Sequence, residues 1–179
     1  MNIGVISTRY ARALYSLAFD QGKEDVVYKE MNCLLQQFLL FPEFKRYLTS
    51  PILKIAKKIN LLETAAGGEN ISLLTKKFID FVVRRDKQEI IQFMCSAYGE
   101  VYRSAKNIVT TRLISATEVD SSFLDKIKDK VEKTYNAHVE MEVKIDKNII
   151  GGFILDVDNN RLDVSILGDL NKMKLVFTE

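Results

Sequence analysis

Residues 107–116 read NIVTTRLISA. Six of these ten residues are Ile, Val, Thr or Leu, and their apolar members form no stripe at helical spacing. β-branched side chains lose little on a pleated surface and more in a helix, so the segment predicts a β-strand. Everything before it repeats with a period near 3.6, and much of the chain beyond it repeats with a period of 2. The fold class therefore turns on this stretch: helices first, then a mixed α+β part.

To the left, a helix is expected from Ser7 to about Gln21, with Tyr10, Leu14, Leu17 and Ala18 on one face and Gly22 ending it. A second runs from about Lys23 to Phe41, carries Val27, Met31, Leu34, Leu35 and Phe38, and stops at Pro42. A short helical turn comes next. Ser50 as cap, Pro51 at the first helical position and Gly67–Gly68 past the end predict a fourth helix. Ser72 caps a fifth, to about Arg85, with Leu73, Leu74, Phe78, Ile79 and Val82 inward. A long last helix, Lys87 to Lys106, carries Ile90, Ile91, Met94, Tyr98, Val101 and Tyr102. Six amphipathic helices with short connections predict an N-terminal bundle over residues 1–106.

To the right, Asp120 or Ser121 caps a helix with Phe123, Leu124, Ile127, Val131 and Tyr135 inward. HVEMEVKID, 138–146, alternates, with Val139, Met141, Val143 and Ile145 on one face. IIGGFILDV, 149–157, reads as a more buried strand, DVDNN as a polar hairpin turn, and SILGDLNKM as a closing amphipathic helix. Residues 107–179 form a small C-terminal α+β domain.

The composition is that of an ordinary soluble chain: 179 residues, 47% hydrophobic, 28% charged, net charge +2. That balance is too even for a dedicated nucleic-acid binder. Residues 1–106 carry 16 Lys/Arg against 11 Asp/Glu, whereas 107–179 carry 10 against 13, so two parts with different partners are expected. Cys33 and Cys95 both sit among large apolar residues and are read as buried free thiols. The first residues lack the apolar core of a signal peptide, and no apolar run approaches membrane-spanning length.

Catalytic and metal chemistry find no support. A phosphate loop needs Gly-Lys-Ser/Thr after its first glycine, but five residues beyond Gly151 stands Asp156. Asp156, Asp158 and Asn160 imitate the start of a calcium loop, yet its glycine position holds Arg161 and its bidentate acid position Leu167. One histidine, His138, and two distant cysteines cannot build a zinc site. The basic run Arg84–Lys87 reads as a solvated helix end. No catalytic, metal or cofactor residues are assigned.

The order of features in IIGGFILDV…LDVSILGDLNKM resembles the C-terminal signature of the delta subunit of bacterial rotary ATP synthases, the family of the oligomycin-sensitivity-conferring protein. The signature falls on Ile149–Ile150, Gly151–Gly152, the strand Phe153–Val157, Asp163, Ser165, Leu170 and Met173. ISTRYARALYSLA is similar to that family's first helix and SPILKIAKKINLL to its mid-bundle helix, so the resemblance spans the chain in order. Asp158 and Val164 stand where the family often has glycine.

The resemblance implies a non-catalytic stator subunit without cofactors. It would join the catalytic head, through the N-terminal segments of the alpha subunits, to the ends of the b subunits of the peripheral stalk, resisting rotor torque. It implies a peripheral place on the cytoplasmic face of the inner membrane. It also implies a groove between the first and fifth helices, where Tyr10, Ala11, Leu14, Ala18, Phe78 and Val82 are the apolar candidates. Gly151 and Gly152 would allow close backbone approach, and Asp163 and Ser165 would open the last helix. A helical RNA-binding antitermination factor is the alternative; it accounts for the bundle and its charge but not for the α+β end.

Overall fold

The computed structural model describes residues 3–158 and 160–178, and the chain is α+β. It divides into two compact units, 1–103 and 104–179.

Among the described residues the first unit holds six α-helices: α1 (Ile3–Asp20), α2 (Glu24–Leu40), α3 (Glu43–Thr49), α4 (Ile55–Ala66), α5 (Leu73–Arg84) and α6 (Ile91–Lys106), the last running on into the second unit. Each buries one stripe. Ser7, Ala11, Leu14 and Ala18 of α1 are buried at spacings of four, three and four, as are Val27, Met31, Leu34 and Phe38 of α2. Gly22, at φ +61°, lets the chain leave α1 with Lys23 N donating back to Ala18 O at 2.9 Å. α2 packs against α1 and α4, and α4 against α5.

Two helix starts differ from expectation. Pro51 does not open α4; the helix begins at Ile55 after an extended Lys54. Ser50 Oγ instead accepts from Ile52 N at 3.4 Å, closing a local turn that leaves Ile52 90% exposed. A serine hydroxyl offers the backbone this alternative to helix, and the buried stripe Lys58–Leu62–Ala66 begins only later. Similarly, Lys87 precedes a 3-10 turn over Gln88–Ile90 rather than α6 itself, because Asp86 at φ +54° reverses the chain. Cys33 is exposed, not buried: it lies on α2 away from the Met31–Leu34 stripe. Cys95 is buried, its Sγ 3.6 Å from Met31 Sδ, and burial pushes its thiol up to about 12.

The second unit is β1 (Ile108–Ser115), α7 (Ser121–Tyr135), β2 (His138–Ile145), β3 (Gly152–Val157), β4 (Asn160–Ser165) and α8 (Ile166–Thr178). The sheet order is β2-β1-β3-β4; β1 and β2 are parallel, with α7 as their crossover, and the other pairs are antiparallel. Val109, Val131, Val139 and Val157 form its buried cluster. β4 has no counterpart in the sequence expectation, which names no strand between the polar turn and the helix-start candidates Asp163 and Ser165. Asn160, Leu162 and Val164 alternate with Arg161, Asp163 and Ser165, and Leu162 pairs with Leu155. The hairpin turns at Asp158, whose φ of +48° is a conformation glycine adopts freely.

Candidate partner-binding groove

Two side chains set the position of α5. Ser72 is its N-cap, its Oγ accepting from Thr75 N at 3.3 Å. Behind it lies Glu30 of α2, 7% exposed. One carboxylate oxygen accepts from Ser72 N at 2.5 Å; the other accepts from Ser72 Oγ at 2.7 Å and Thr75 Oγ1 at 2.5 Å. A carboxylate at the amide-rich end of a helix satisfies orphan donors and meets the positive end of the dipole. α5 is thereby fixed to α2.

Between α1 and α5 runs an apolar groove of about 490 Å³. Tyr10, Leu14 and Leu17 wall it from α1, with small Ala13 lowering that wall; Leu74, Phe78 and Phe81 wall it from α5. The Tyr10 and Phe81 rings stand 6.0 Å apart, and the Arg85 guanidinium covers Phe81 at 5.2 Å from the ring centre. Arg9 and Lys77 flank it. Among the described residues no carboxylate, histidine or cysteine lines the groove, which offers apolar contact.

Of the six residues expected in this groove, Tyr10, Leu14 and Phe78 line it. Ala11, Ala18 and Val82 are each 0% exposed and belong to the core below. The apolar lining residues not anticipated are Ala13, Leu17, Leu74 and Phe81, of which Leu17 is 53% and Phe81 46% exposed. Their signal is present in the sequence: Tyr10, Ala13, Leu14 and Leu17 form a second apolar stripe on α1, offset from the buried one. Glu30, an acid within an apolar run, gives none.

The glycine pair occupies a tight corner in the other unit. Gly151 N donates to Ile149 O at 2.8 Å across Ile150, which holds φ +69°, ψ −45°, a turn that strains a β-branched residue. Gly152 has φ +74°, and a Cβ there would stand 2.1 Å from Val164 O. Asp163 Oδ1 accepts from Ser165 N at 2.9 Å and Ser165 Oγ at 2.6 Å, while Ser165 Oγ accepts from Gly168 N at 3.0 Å at the start of α8. Gly168 is part of this corner too, since a Cβ on it would meet Asp163 Oδ1 at 2.8 Å. Leu170 is 44% exposed on α8. His138 is exposed at the start of β2, Arg84 pairs with Asp80 at 2.8 Å, and no cluster of metal-ligating side chains occurs among the described residues.

The sequence pattern of the ATP synthase delta (OSCP) subunit matches residues 6–176. The chain belongs to that family. It is 35% identical over 177 residues to ATP synthase subunit delta of Phocaeicola vulgatus, covering 99% of this chain and 96% of the relative. It is also 35% identical over 174 residues to ATP synthase subunit delta of Parabacteroides distasonis, covering 97% and 96%. Its fold is that of a chain in the Toxoplasma gondii mitochondrial ATP synthase hexamer, with a TM-score of 0.73 at 17% identity over 97% of each chain. The antitermination reading has no support among these matches. No helix among the described residues is long and apolar enough to cross a membrane.

Proposed function

We propose that the chain is the delta subunit of a rotary ATP synthase, a stator component that carries load and performs no chemistry. The six helices of the first unit act as a bundle whose α1–α5 groove receives an amphipathic helix from the N-terminal segments of the alpha subunits. The 104–179 unit meets the ends of the b subunits. The subunit then holds the catalytic head against the torque of the rotor, peripherally, on the cytoplasmic face of the membrane. The observation that carries the role is the end-to-end family match. For the groove it is a continuous apolar wall, with Leu17 and Phe81 half-exposed at helical spacing from their neighbours.

Calorimetric titration with a peptide of the alpha N-terminus tests this reading. The full chain and fragment 1–106 should bind alike. Leu17→Glu and Phe81→Glu should each weaken binding at least about tenfold without unfolding, since both positions are largely solvated and a buried charge in an apolar contact is costly. Unchanged affinity in both variants would move the alpha contact elsewhere. A folded fragment that fails to bind would show that the second unit takes part.

A further inference from the structure

Four of the chain's seven tyrosines meet in the first unit. The Tyr15 and Tyr98 rings stand 6.1 Å apart. Tyr98 and Tyr102 lie one turn apart on α6. The Tyr102 ring is stacked on that of Tyr28 from α2, with centres 4.0 Å and planes 12° apart.

The phenols differ in what can receive their protons. Tyr98, 0% exposed, donates to the Glu24 carbonyl at 3.3 Å, and a carbonyl is no base at neutral pH. Burial holds this phenol above its ordinary value. Tyr102 instead donates to Asp25 Oδ1 at 2.8 Å, a carboxylate within proton-transfer reach. Tyr28 Oη accepts from Arg103 Nη1 at 3.4 Å, so a cation faces that oxygen. Gly99 leaves room for the guanidinium, since a Cβ there would stand 3.2 Å from Arg103 Nη1; inside a helix glycine is otherwise unfavourable. Losing an electron makes a phenol strongly acidic, so a tyrosine is oxidised most readily where a base takes the proton in the same event. Tyr102 and the ring stacked on it meet that condition.

We propose that Tyr28 and Tyr102 form an oxidation site, at which a one-electron oxidant of the carbonate-radical class joins the two rings as an intramolecular dityrosine. One oxidant takes an electron from Tyr102 while its phenolic proton passes to Asp25. A second takes an electron from Tyr28, which is partly exposed and releases its proton to water. The two phenoxyl radicals pair their electrons in a bond between ring carbons beside the oxygens, and the hydrogens on those carbons then move to the oxygens. Two electrons and two protons leave in all, two equivalents of oxidant are reduced, and both phenols are restored. The bond ties α2 to α6 and constrains the unfolded chain as a disulfide does. The inference goes beyond the stator reading and does not depend on it.

The test irradiates the full-length subunit with ruthenium tris-bipyridine and persulfate, a source of one-electron oxidant, and maps the products by mass spectrometry. The main product should be a single chain in which the peptides holding Tyr28 and Tyr102 are joined with the loss of two hydrogens. Tyr47 and Tyr135, 57% and 39% exposed against 9% for Tyr102, should react less. Tyr28→Phe keeps a stacked ring and should abolish the product. Asp25→Asn keeps an acceptor for the Tyr102 hydroxyl but removes the base, and should slow formation at least about tenfold with hydrogen exchange unchanged. The proposal is overturned if the pair stays unmodified, if cross-links form chiefly between chains or through Tyr47 or Tyr135, or if Asp25→Asn reacts at the unsubstituted rate.

Discussion

Gly152→Ala should damage the second unit by an amount the geometry fixes. The new methyl would lie 2.1 Å from Val164 O, 3.1 Å from Val164 C and 3.2 Å from Ser165 Cα. All three are backbone atoms of β4 or its end, so no side chain can rotate away. Reaching ordinary contact requires β4 to retreat by about an ångström, and the Gly152–Ser165 end of the ladder opens. Two lost hydrogen bonds cost about 2 kcal/mol. The left-handed backbone at φ +74° adds about 1–2 kcal/mol for any L-residue. The expected loss is therefore about 3–4 kcal/mol. Gly151→Ala is the control: its methyl meets the Ile166 side chain, Cδ1 at 2.7 Å and Cγ1 at 3.5 Å, and no backbone atom within 4 Å. A rotamer shift there costs about 1 kcal/mol, offset by the reduced freedom of the unfolded chain. Urea unfolding of the full chain gives the energies, and hydrogen exchange locates them. Amides of β3, β4 and the first turn of α8 should lose protection in Gly152→Ala while those of residues 3–103 keep theirs. A loss below about 1 kcal/mol, or equal effects of the two alanines, would refute the close-approach argument.

Glu30→Gln should destabilise the first unit by about 1–3 kcal/mol in urea unfolding, because an amide nitrogen must replace one of the two oxygens that together accept three hydrogen bonds. It should also weaken binding in the α1–α5 groove; normal stability would show that the α5 cap does not need the charge. In the native protein a thiol reagent should label Cys33 and spare Cys95, with both reacting after unfolding. Burial raises both the Cys95 thiol and the Tyr98 phenol above their ordinary values, and this sets a pH dependence. For Cys95 the proton retained more tightly in the folded state gives stability that is present below the ordinary thiol value of 9.0 and is lost as pH rises toward about 12; for Tyr98 the loss begins above the ordinary phenol value of 10.0. Melting temperature should fall across that window, and a flat profile would remove both groups from the account.

Most elements are legible in the sequence because their amphipathic periods are strong. The change of period at 107–116 locates the passage from helices to sheet, and Ser72 and Gly67 mark helix ends that the structure also shows. Burial is what misleads. Leu17, Phe123, Tyr135, Val143 and Ile145 carry the apolar pattern of core residues, yet each is 39% exposed or more. Periodicity reports which side of an element is apolar; it cannot say whether this chain supplies the cover. β4 escapes a sequence reading because Asn, Arg and Asp are poor strand formers in isolation, and only pairing with β3 makes the segment extended. Glu30 escapes it because its partners, Ser72 and Thr75, lie 42 and 45 residues further along the chain.

The junction of β4 and α8 has a mechanical meaning. The strand ends at Ser165 and the helix starts at Ile166, with no linker between them. A pull on α8 therefore finds no slack to take up and passes directly into the β3–β4 ladder. Ile166 N, bonded to Gly151 O at 3.0 Å, ties the same point to the turn before β3, so both ends of the hairpin's base share the load. Hydrogen bonds between antiparallel strands run perpendicular to the strands, so a force along β4 shears several at once instead of peeling them singly. The joint is stiff where an ordinary loop would be compliant, and little of an applied displacement is wasted in stretching it.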